Sequence, residues 1–331
     1  MPGNWQFTSL DADIAAEFAE FVPERVFDAH AHLYRLRDLP EPPPAFLVEG
    51  PANVTPRIWR SRLERQVGAG RVAGGLLMPF PTPGCDVALL NRRLLEDLDH
   101  DEMSVGALLI APETDREELA AALDHPRAAA LKPYHCFSPR ASTQDSTLEE
   151  YLPEWAWRLA DERRLAIVLH LVRHGALSDP ANQRAIVTTC RRYRNARLQL
   201  AHAARGFHAP NTVRGIAAIE GLENVWFDSS GICEAAALAA ILRAFGPSRL
   251  VFGSDFPVSE IRGRCVTVGD GFVWLYPESL DWQSIHPPVH PTLVGLESLR
   301  ALREAAQIAG LSRAEVRQIF HGAARDLYAT R

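Results

Sequence analysis

The sequence contains few cysteines, and none of them form a closely spaced pair. The 331 residues include five cysteines, an odd number, and no Cys-x-x-Cys motif. This pattern excludes a disulfide framework and a zinc site built from thiolates, because both need cysteines that pair. It also fits a protein kept in a reducing cytoplasm, which is where we expect this chain to act. The five are Cys85, Cys136, Cys190, Cys233 and Cys265.

The sequence also lacks an excess of basic residues and any long hydrophobic run. It has 41 Asp and Glu against 35 Lys and Arg, a formal net charge of −6, whereas nucleic-acid-binding proteins usually carry a basic face. No apolar run approaches the roughly 20 residues that cross a bilayer. The N-terminal residues show no basic segment followed by an apolar core, as a signal peptide would. We therefore expect a small-molecule substrate and neither a nucleic-acid nor a membrane partner.

What the sequence does contain is a regular alternation of short apolar runs with longer amphipathic segments. This alternation predicts an α/β fold with parallel strands and helices outside the sheet. Eight repeats favour a TIM (β/α)8 barrel, with some distortion, formed by one domain over residues 1–331; an open doubly wound sheet is the alternative. The predicted strands are Val26–Ala29, Val72–Met78, Val105–Ile110, Ala128–Leu131, Ala166–Leu171, Arg197–Ala201, Val225–Asp228 and Leu250–Gly253. The predicted helices are Arg57–Gly68, Asp86–Leu98, Asp115–Leu123, Leu148–Arg163, Pro180–Tyr193, Thr212–Glu220, Glu234–Phe245, Leu296–Ile308 and Arg313–Tyr328.

Two irregular stretches interrupt this alternation, one after the first predicted strand and one after the eighth. Residues 38–56 are rich in proline, and residues 257–292 are rich in glycine and proline with little periodicity. In a barrel, both insertions would lie at the C-terminal face, where active sites form. Each is a candidate for a lid or for a contact in a homo-oligomer, and the alternative is irregular surface.

The first predicted strand runs into the motif Val-Phe-Asp-Ala-His-Ala-His at residues 26–32. Residues two apart on a strand point to the same face, so His30 and His32 project together. Two neutral imidazoles aimed at one point are half of a typical divalent-metal site. A His-x-His pair alone is a weak signal, because most such pairs bind nothing.

Ionisable residues at the ends of four further predicted strands strengthen this signal. Lys132 follows the fourth strand, His170 lies at the end of the fifth, His202 follows the sixth and Asp255 follows the eighth. An ionisable group next to a buried apolar run is costly unless it is paired or binds a metal. One such residue is readily explained as a hydrogen-bonded core histidine, but several at the same end of a sheet indicate a shared site.

Taken together, these motifs resemble the amidohydrolase superfamily, in particular the amidohydrolase 2 family of smaller metal-dependent hydrolases and decarboxylases. The resemblance extends from Asp28 to about Tyr328 and is carried by Asp28-Ala-His-Ala-His, His170, Ala201-His202 and Gly253-Ser-Asp-Phe-Pro. Two details depart from the family pattern. The segment that begins at His202 reads His-Ala-Ala-Arg-Gly, with alanine where a small Gly usually follows the histidine. His321-Gly322 stands where an Asn is more usual.

The resemblance implies roles for individual residues. His30, His32, His170 and Asp255 would bind one or two divalent ions, with zinc ahead of manganese. His202 would bind substrate or transfer a proton, and Asp255 would also accept a proton from the metal-bound water. Lys132 stands where two-metal members carry a carboxylated, bridging lysine; the alternative is a substrate-facing or structural amine.

Loop residues after the predicted strands are candidates for binding substrate. Arg173 and Arg205 suit an anionic group such as a carboxylate, which arginine binds with two parallel hydrogen bonds. Tyr134, His135 and the Lys132 amine follow the fourth strand and face the same region. The alternative for each loop residue is a solvated side chain.

These observations predict a metal-dependent hydrolase that cleaves a C–N or C–O bond, in an amide or lactone, of a small anionic substrate with metal-activated water. A non-oxidative decarboxylase or lactonase of the same fold is an alternative, because the metal ligands do not distinguish these reactions. An alternative of another class is a barrel that binds ligands without catalysis.

Overall fold

The computed structural model describes residues 2–328. The predicted domain of residues 1–331 therefore includes four residues, at position 1 and at 329–331, that lie outside the described part. Among residues 2–328, no helix is both long enough and apolar enough to cross a membrane.

The centre of the molecule is a curled, mostly parallel sheet of nine strands in the order β2-β1-β3-β4-β5-β6-β7-β8-β9. Only β2 pairs antiparallel, through Tyr34 with Val54 and Arg35 with Asn53. The strands are β1 (Val26–Arg35), β2 (Asn53–Val54), β3 (Val72–Pro79), β4 (Val105–Ile110), β5 (Ala128–Pro133), β6 (Ala166–Leu169), β7 (Arg197–Leu200), β8 (Val225–Asp228) and β9 (Leu250–Val251).

Backbone hydrogen bonds connect β1 with the chain around and after β9. The amides of Ala29 and His32 donate to the carbonyls of Phe252 and Phe256 at 2.8 and 2.7 Å, and the Asp255 amide donates to the His30 carbonyl at 2.8 Å. The curled parallel sheet with helices outside it is a TIM-like α/β fold, which confirms the predicted fold class at this level.

Helices follow the strands as the alternation predicts. At α7, Asp179 accepts hydrogen bonds from the first-turn amides, and Pro180 occupies a first-turn position, which is a favourable start for a helix. The helices are α1 (Ser9–Ala16), α2 (Ala45–Val48), α3 (Pro56–Val67), α4 (Val87–Leu98), α5 (Arg116–Ala122), α6 (Glu154–Arg163), α7 (Pro180–Arg192), α8 (Ala201–Arg205, one turn), α9 (Ala209–Gly215), α10 (Ala235–Phe245), α11 (Val294–Ile308), α12 (Arg313–Arg317) and α13 (Ala323–Leu327).

Three predicted helices differ from the structure by more than two residues in their bounds. The helix expected from Leu148 begins only at Glu154, directly after Pro153. The helix expected over 212–220 begins at Ala209 and continues as a 3-10 turn over Ile216–Ile219. The final helix expected over 313–328 is divided by a π-helical segment, Gln318–Gly322.

Apolar side chains pack on both faces of the sheet. One cluster joins the outward-facing strand residues to the helices, as at Leu131 and Ile167. The other cluster lies on the inner face and consists largely of alanines, together with Leu327 and Tyr328 near the end of the chain. Small inner side chains leave room for buried polar groups, which the site described below uses.

The two predicted insertions contain short elements of their own. Residues 38–56 include α2 and β2, and residues 257–292 include the antiparallel hairpin β10 (Arg264–Val268) and β11 (Gly271–Leu275). Trp5 lies beside both regions: its amide donates to the Glu260 carbonyl and its indole N–H to the Phe46 carbonyl.

Candidate metal centre

Three buried groups converge here, two on β1 and one in the segment that follows β9. His30 Nε2 and His32 Nε2 lie 3.6 and 3.9 Å from Asp255 Oδ1, and one ligand atom from each residue lies within 4.8 Å of the other two. Ligands bound tetrahedrally at ~2.1 Å lie ~3.4 Å from one another. The spacing of these three atoms therefore fits one shared divalent ion.

The far side of each β1 imidazole is held by a hydrogen bond. His30 Nδ1 lies 3.0 Å from Asp228 Oδ2, and His32 Nδ1 lies 3.0 Å from the Pro79 carbonyl oxygen. Both partners accept hydrogen bonds, so each ring carries its proton on Nδ1 and leaves the Nε2 lone pair free. Burial lowers the pKa of His30 and, further, that of His32, which keeps both rings neutral.

Close packing places Asp255 opposite these rings. A Cβ on Gly253 would lie 3.0 Å from the Cβ of His30, so a glycine lets this segment approach β1. Asp255 itself has a positive φ of 56°. Burial raises its carboxyl pKa well above the usual value, an effect that the nearby Lys132 amine opposes.

Lys132 adjoins the ligand set from β5. Its side chain is fully buried, and Nζ lies 3.4 Å from His30 Nε2. Burial lowers the pKa of this amine to about 8, with Asp228 and Asp255 acting in the opposite direction. The structure therefore brings Lys132 to the centre, and its bridging and substrate-facing roles both stay predictions.

His202 and His170 form the next part of the site. The ring of His202 lies 4.9 Å from that of His30 and 4.9 Å from that of His170, and its Nδ1 lies 3.8 Å from Asp255 Oδ2. The structure thus places His170 against His202, one ring away from the compact His30–His32–Asp255 group. His170 Nδ1 is buried without a hydrogen-bond partner. A buried ring nitrogen without a hydrogen-bond partner is costly unless it contacts a bound ion, water or substrate. This histidine therefore also fits a ligand site.

The backbone that carries His202 is left-handed. His202, Ala203, Ala204 and Arg205 all have φ between 52° and 60°, a conformation that L-residues rarely adopt in succession. The His202 amide donates to Asp228 Oδ1 at 2.8 Å, and the Thr212 hydroxyl donates to the Ala203 carbonyl at 2.8 Å. These contacts hold the left-handed turn in place.

Two buried carboxylates were absent from the predicted site. Asp28 accepts hydrogen bonds from the Ser254 amide and the Trp59 indole at 2.8 and 2.9 Å, which ties β1 to the chain before Asp255. Asp228 supports both His30 and His202. Asp28 belongs to the His-x-His motif and Asp228 ends the seventh predicted strand, so the strand-end argument used for the other residues applies to both.

The loop candidates occupy different surroundings. The Tyr134 and His135 rings lie 5.3 and 5.7 Å from that of His170. The Arg173 guanidinium pairs with Asp179 at 3.0 Å. The half-buried Arg205 donates to the Arg173 carbonyl and to Gln144 Oε1, at 2.8 and 2.9 Å.

A chain of aromatic rings connects the centre with the β10–β11 hairpin. Phe207 stacks on His202 with a centroid distance of 5.1 Å. Phe272 and Trp274 of the hairpin lie 5.3 and 5.6 Å from Phe207, and the Arg205 guanidinium lies over the Phe272 ring. The hairpin therefore packs beside the candidate site.

Comparisons with known proteins agree with this fold. Among curated proteins, none matches the sequence. A zinc-bound amidohydrolase structure from Burkholderia multivorans is 18% identical, with 93% of this chain and 100% of that chain covered and a TM-score of 0.61. A probable 2-pyrone-4,6-dicarboxylic acid hydrolase from Acinetobacter baumannii, with citric acid bound, is 14% identical, with 92% and 99% covered and a TM-score of 0.59. The 5-carboxyvanillate decarboxylase from Sphingomonas paucimobilis is 13% identical, with 93% and 100% covered and a TM-score of 0.54.

Identities this low show a shared fold. The amidohydrolase family model, in contrast, matches residues 27–330, which is nearly the whole chain. This match confirms the resemblance carried by the histidine motifs, and the chain belongs to the amidohydrolase 2 family of the amidohydrolase superfamily.

Proposed function

We propose that this protein is a metal-dependent hydrolase that cleaves a C–N or C–O bond, in an amide or lactone, of a small anionic substrate. The observation that carries the proposal is the convergence of His30 Nε2, His32 Nε2 and Asp255 Oδ1 on one buried point. These residues would hold a zinc or manganese ion, which when bound would lower the pKa of a water molecule and polarise a substrate oxygen. His170 and, in a two-ion form, a carboxylated Lys132 complete the proposed ligand set on an eight-stranded barrel.

Asp255 and His202 are the protein groups proposed for proton transfer. Asp255 Oδ1 faces the two β1 imidazoles, whereas Oδ2 faces His202 Nδ1 at 3.8 Å. One oxygen of the carboxylate would therefore serve the metal position, and the other faces His202. General acid–base groups act at hydrogen-bond distance, about 2.6–3.2 Å, or through one water, so a bound water or substrate group would connect Asp255 and His202 in proton transfer.

The charges around the site support an anionic substrate. Arg205 is held by two neutral oxygens, and within residues 2–328 it forms no ion pair with a carboxylate. A guanidinium in this state retains its preference for an incoming carboxylate. The Lys132 amine, 3.4 Å from His30 Nε2, favours decarboxylation as the second candidate reaction, because a cation there can stabilise the negative charge that develops on the substrate as neutral CO2 leaves.

Metal analysis tests the centre directly. We expect protein reconstituted with zinc to hold about one equivalent per chain, or about two if Lys132 is carboxylated. The variant His32→Gln loses this metal because it removes one of the converging nitrogens. Elemental analysis after gel filtration measures the ratio.

The matched control is His125→Gln, since His125 pairs with Asp99 at 3.1 Å on another part of the molecule. This control retains full metal content. Wild-type protein that stays metal-free after reconstitution would contradict the proposal and favour the non-catalytic barrel. A screen of amides, lactones and aromatic acids, read for both hydrolysis and released CO2, then separates the two candidate reactions.

Arg205 provides a test of the substrate class. We expect Arg205→Gln to raise KM for an anionic substrate by about 10- to 100-fold, because a charge-assisted hydrogen bond contributes about 1.5–3 kcal/mol. The change in kcat is much smaller. Steady-state kinetics with a substrate found in the screen measure both constants.

The exposed Arg214→Gln variant is the control, because its guanidinium donates to the Pro210 carbonyl of its own helix. An uncharged analogue of the substrate supplies a second control, since its KM does not depend on Arg205. Equal KM values for the anionic substrate in wild type and Arg205→Gln would remove Arg205 from substrate binding.

A further inference from the structure

A fully buried carboxylate lies behind the metal-facing histidine of β1. Asp228 Oδ2 is 3.0 Å from His30 Nδ1, on the side of the ring opposite Nε2. Asp228 Oδ1 accepts from the amides of His202 and Ser230 at 2.8 and 3.1 Å. Both oxygens are therefore occupied by donors, which fixes the plane of the carboxylate.

The second donor to Asp228 Oδ2 is a buried amide from β7. Gln199 Nε2 donates to Asp228 Oδ2 at 2.6 Å and to the Ala29 carbonyl at 3.1 Å. Both neighbours of this amino group are acceptors, so the reversed amide would place Oε1 against two oxygens. The orientation of Gln199 follows from these contacts, and its Oε1 points away from the metal position.

The hydrogen bond that satisfies Gln199 Oε1 comes from a tyrosine, Tyr328. The Tyr328 hydroxyl donates to Gln199 Oε1 and also lies 3.3 Å from the Ala29 carbonyl. Its ring lies 5.7 Å from that of Phe27 at the start of β1. The alanine-rich inner face of the sheet supplies the space for both polar side chains.

We propose that Tyr328, Gln199 and Asp228 are positioning residues that hold His30 with its proton on Nδ1 and its Nε2 lone pair on the metal. A continuous hydrogen-bonded chain runs from Tyr328 through the interior of the sheet to His30. Partners of this kind orient a ligating histidine and increase its basicity. The inference rests on the proposed metal function and adds the residues that set the affinity of the site.

Two conservative variants test the chain. Gln199→Leu removes the donor to Asp228, and Tyr328→Phe leaves Gln199 Oε1 unsatisfied. We expect Gln199→Leu to weaken zinc binding by about 10- to 100-fold, the range found for groups that support metal ligands, and Tyr328→Phe to weaken it less. Competition with a chromophoric chelator on the intact protein measures the zinc affinity.

The controls reproduce each change elsewhere in the molecule. Gln66→Leu also removes a buried amide that donates to a buried carboxylate, that of Glu260, at 2.8 Å. Tyr193→Phe also removes a tyrosine hydroxyl that donates to a side-chain oxygen, here that of the Glu154 carboxylate at 2.7 Å. Both controls retain wild-type zinc affinity, even where their thermal stability falls.

Nitrogen-15 NMR of the histidine side chains, on metal-free protein, gives a second readout. We expect His30 to carry its proton on Nδ1 in the wild type and to populate both tautomers in Gln199→Leu. Zinc affinity and tautomer both unchanged in Gln199→Leu and Tyr328→Phe would overturn the proposed chain and leave the metal function standing. Wild-type protein that binds no zinc would overturn the metal function, and the tautomer of His30 would then decide the positioning role alone.

Discussion

Asp255→Asn is expected to lower kcat/KM by about 10³-fold or more, because a lost general base alone costs about 10²- to 10⁴-fold. The amide has the size of the carboxylate and lacks its charge. Asp255 Oδ1 faces the two β1 imidazoles and Oδ2 faces His202, so under the proposed function one change removes a charged ligand and a proton acceptor together. Steady-state kinetics on zinc-reconstituted protein measure the loss.

Metal content separates the two roles of Asp255. A variant that loses its zinc has lost a ligand, and a variant that keeps zinc without turnover has lost the proton acceptor. The control is Asp101→Asn, since Asp101 is a buried acid that pairs with Arg60 at 3.2 Å and contacts none of the site residues. Near-normal turnover by Asp255→Asn would refute the assigned role.

The largest expected effect on stability comes from Asp11→Asn. Asp11 on α1 pairs with Arg262 in the second insertion at 2.8 Å, and both side chains are fully buried. Removing one charge of such a pair leaves the other buried without compensation, which costs about 3–5 kcal/mol. We expect a loss of this size in the free energy of unfolding, measured by urea denaturation.

The pH dependence of unfolding provides a second measurement on Asp11. Burial acts to raise its pKa, but hydrogen bonds from Arg262, Thr292 and Thr8 outweigh burial and lower the pKa from 3.8 to about 2. Because the pKa of Asp11 is lower in the folded than in the unfolded state, its ionised carboxylate stabilises the folded protein above pH 3.8. This contribution is lost as the pH falls from 3.8 towards 2. Asp11→Asn lacks that part of the acid sensitivity. The exposed Asp13→Asn variant is the control. If Asp11→Asn lost no more stability than this control, the buried ion pair would not contribute the expected free energy.

The sequence predicted that the strand-end side chains lie close together, and the reason is physical. Parallel strands bring their C-terminal ends to one edge, so His30, His32, His202 and Asp255 meet once the alternation of strands and helices is recognised. The same reasoning extends to Asp228. That residue ends a strand as the others do, but an aspartate before two serines also reads as the start of a turn.

The remaining features depend on tertiary contacts that no local pattern encodes. Nothing in the pair Ala203-Ala204 favours a left-handed turn, which is held by hydrogen bonds from distant residues such as Thr212. Arg173 looked like an anion-binding residue, and its pairing with Asp179 arises from the way the loop folds back on α7. The π-helical segment at Gln318–Gly322 likewise interrupts a stretch whose apolar spacing suits one helix.

The positive φ angles at His202 and Asp255 determine which mutants of this protein can be interpreted. Alanine or a β-branched residue at either position would add backbone strain to the loss of the side chain. Asparagine tolerates the left-handed region better than other non-glycine residues. In a library with many substitutions at these two positions, the activity of each variant would therefore reflect its tolerance of the backbone conformation as well as its chemistry. Asparagine variants give the cleanest comparison of the lost functional groups.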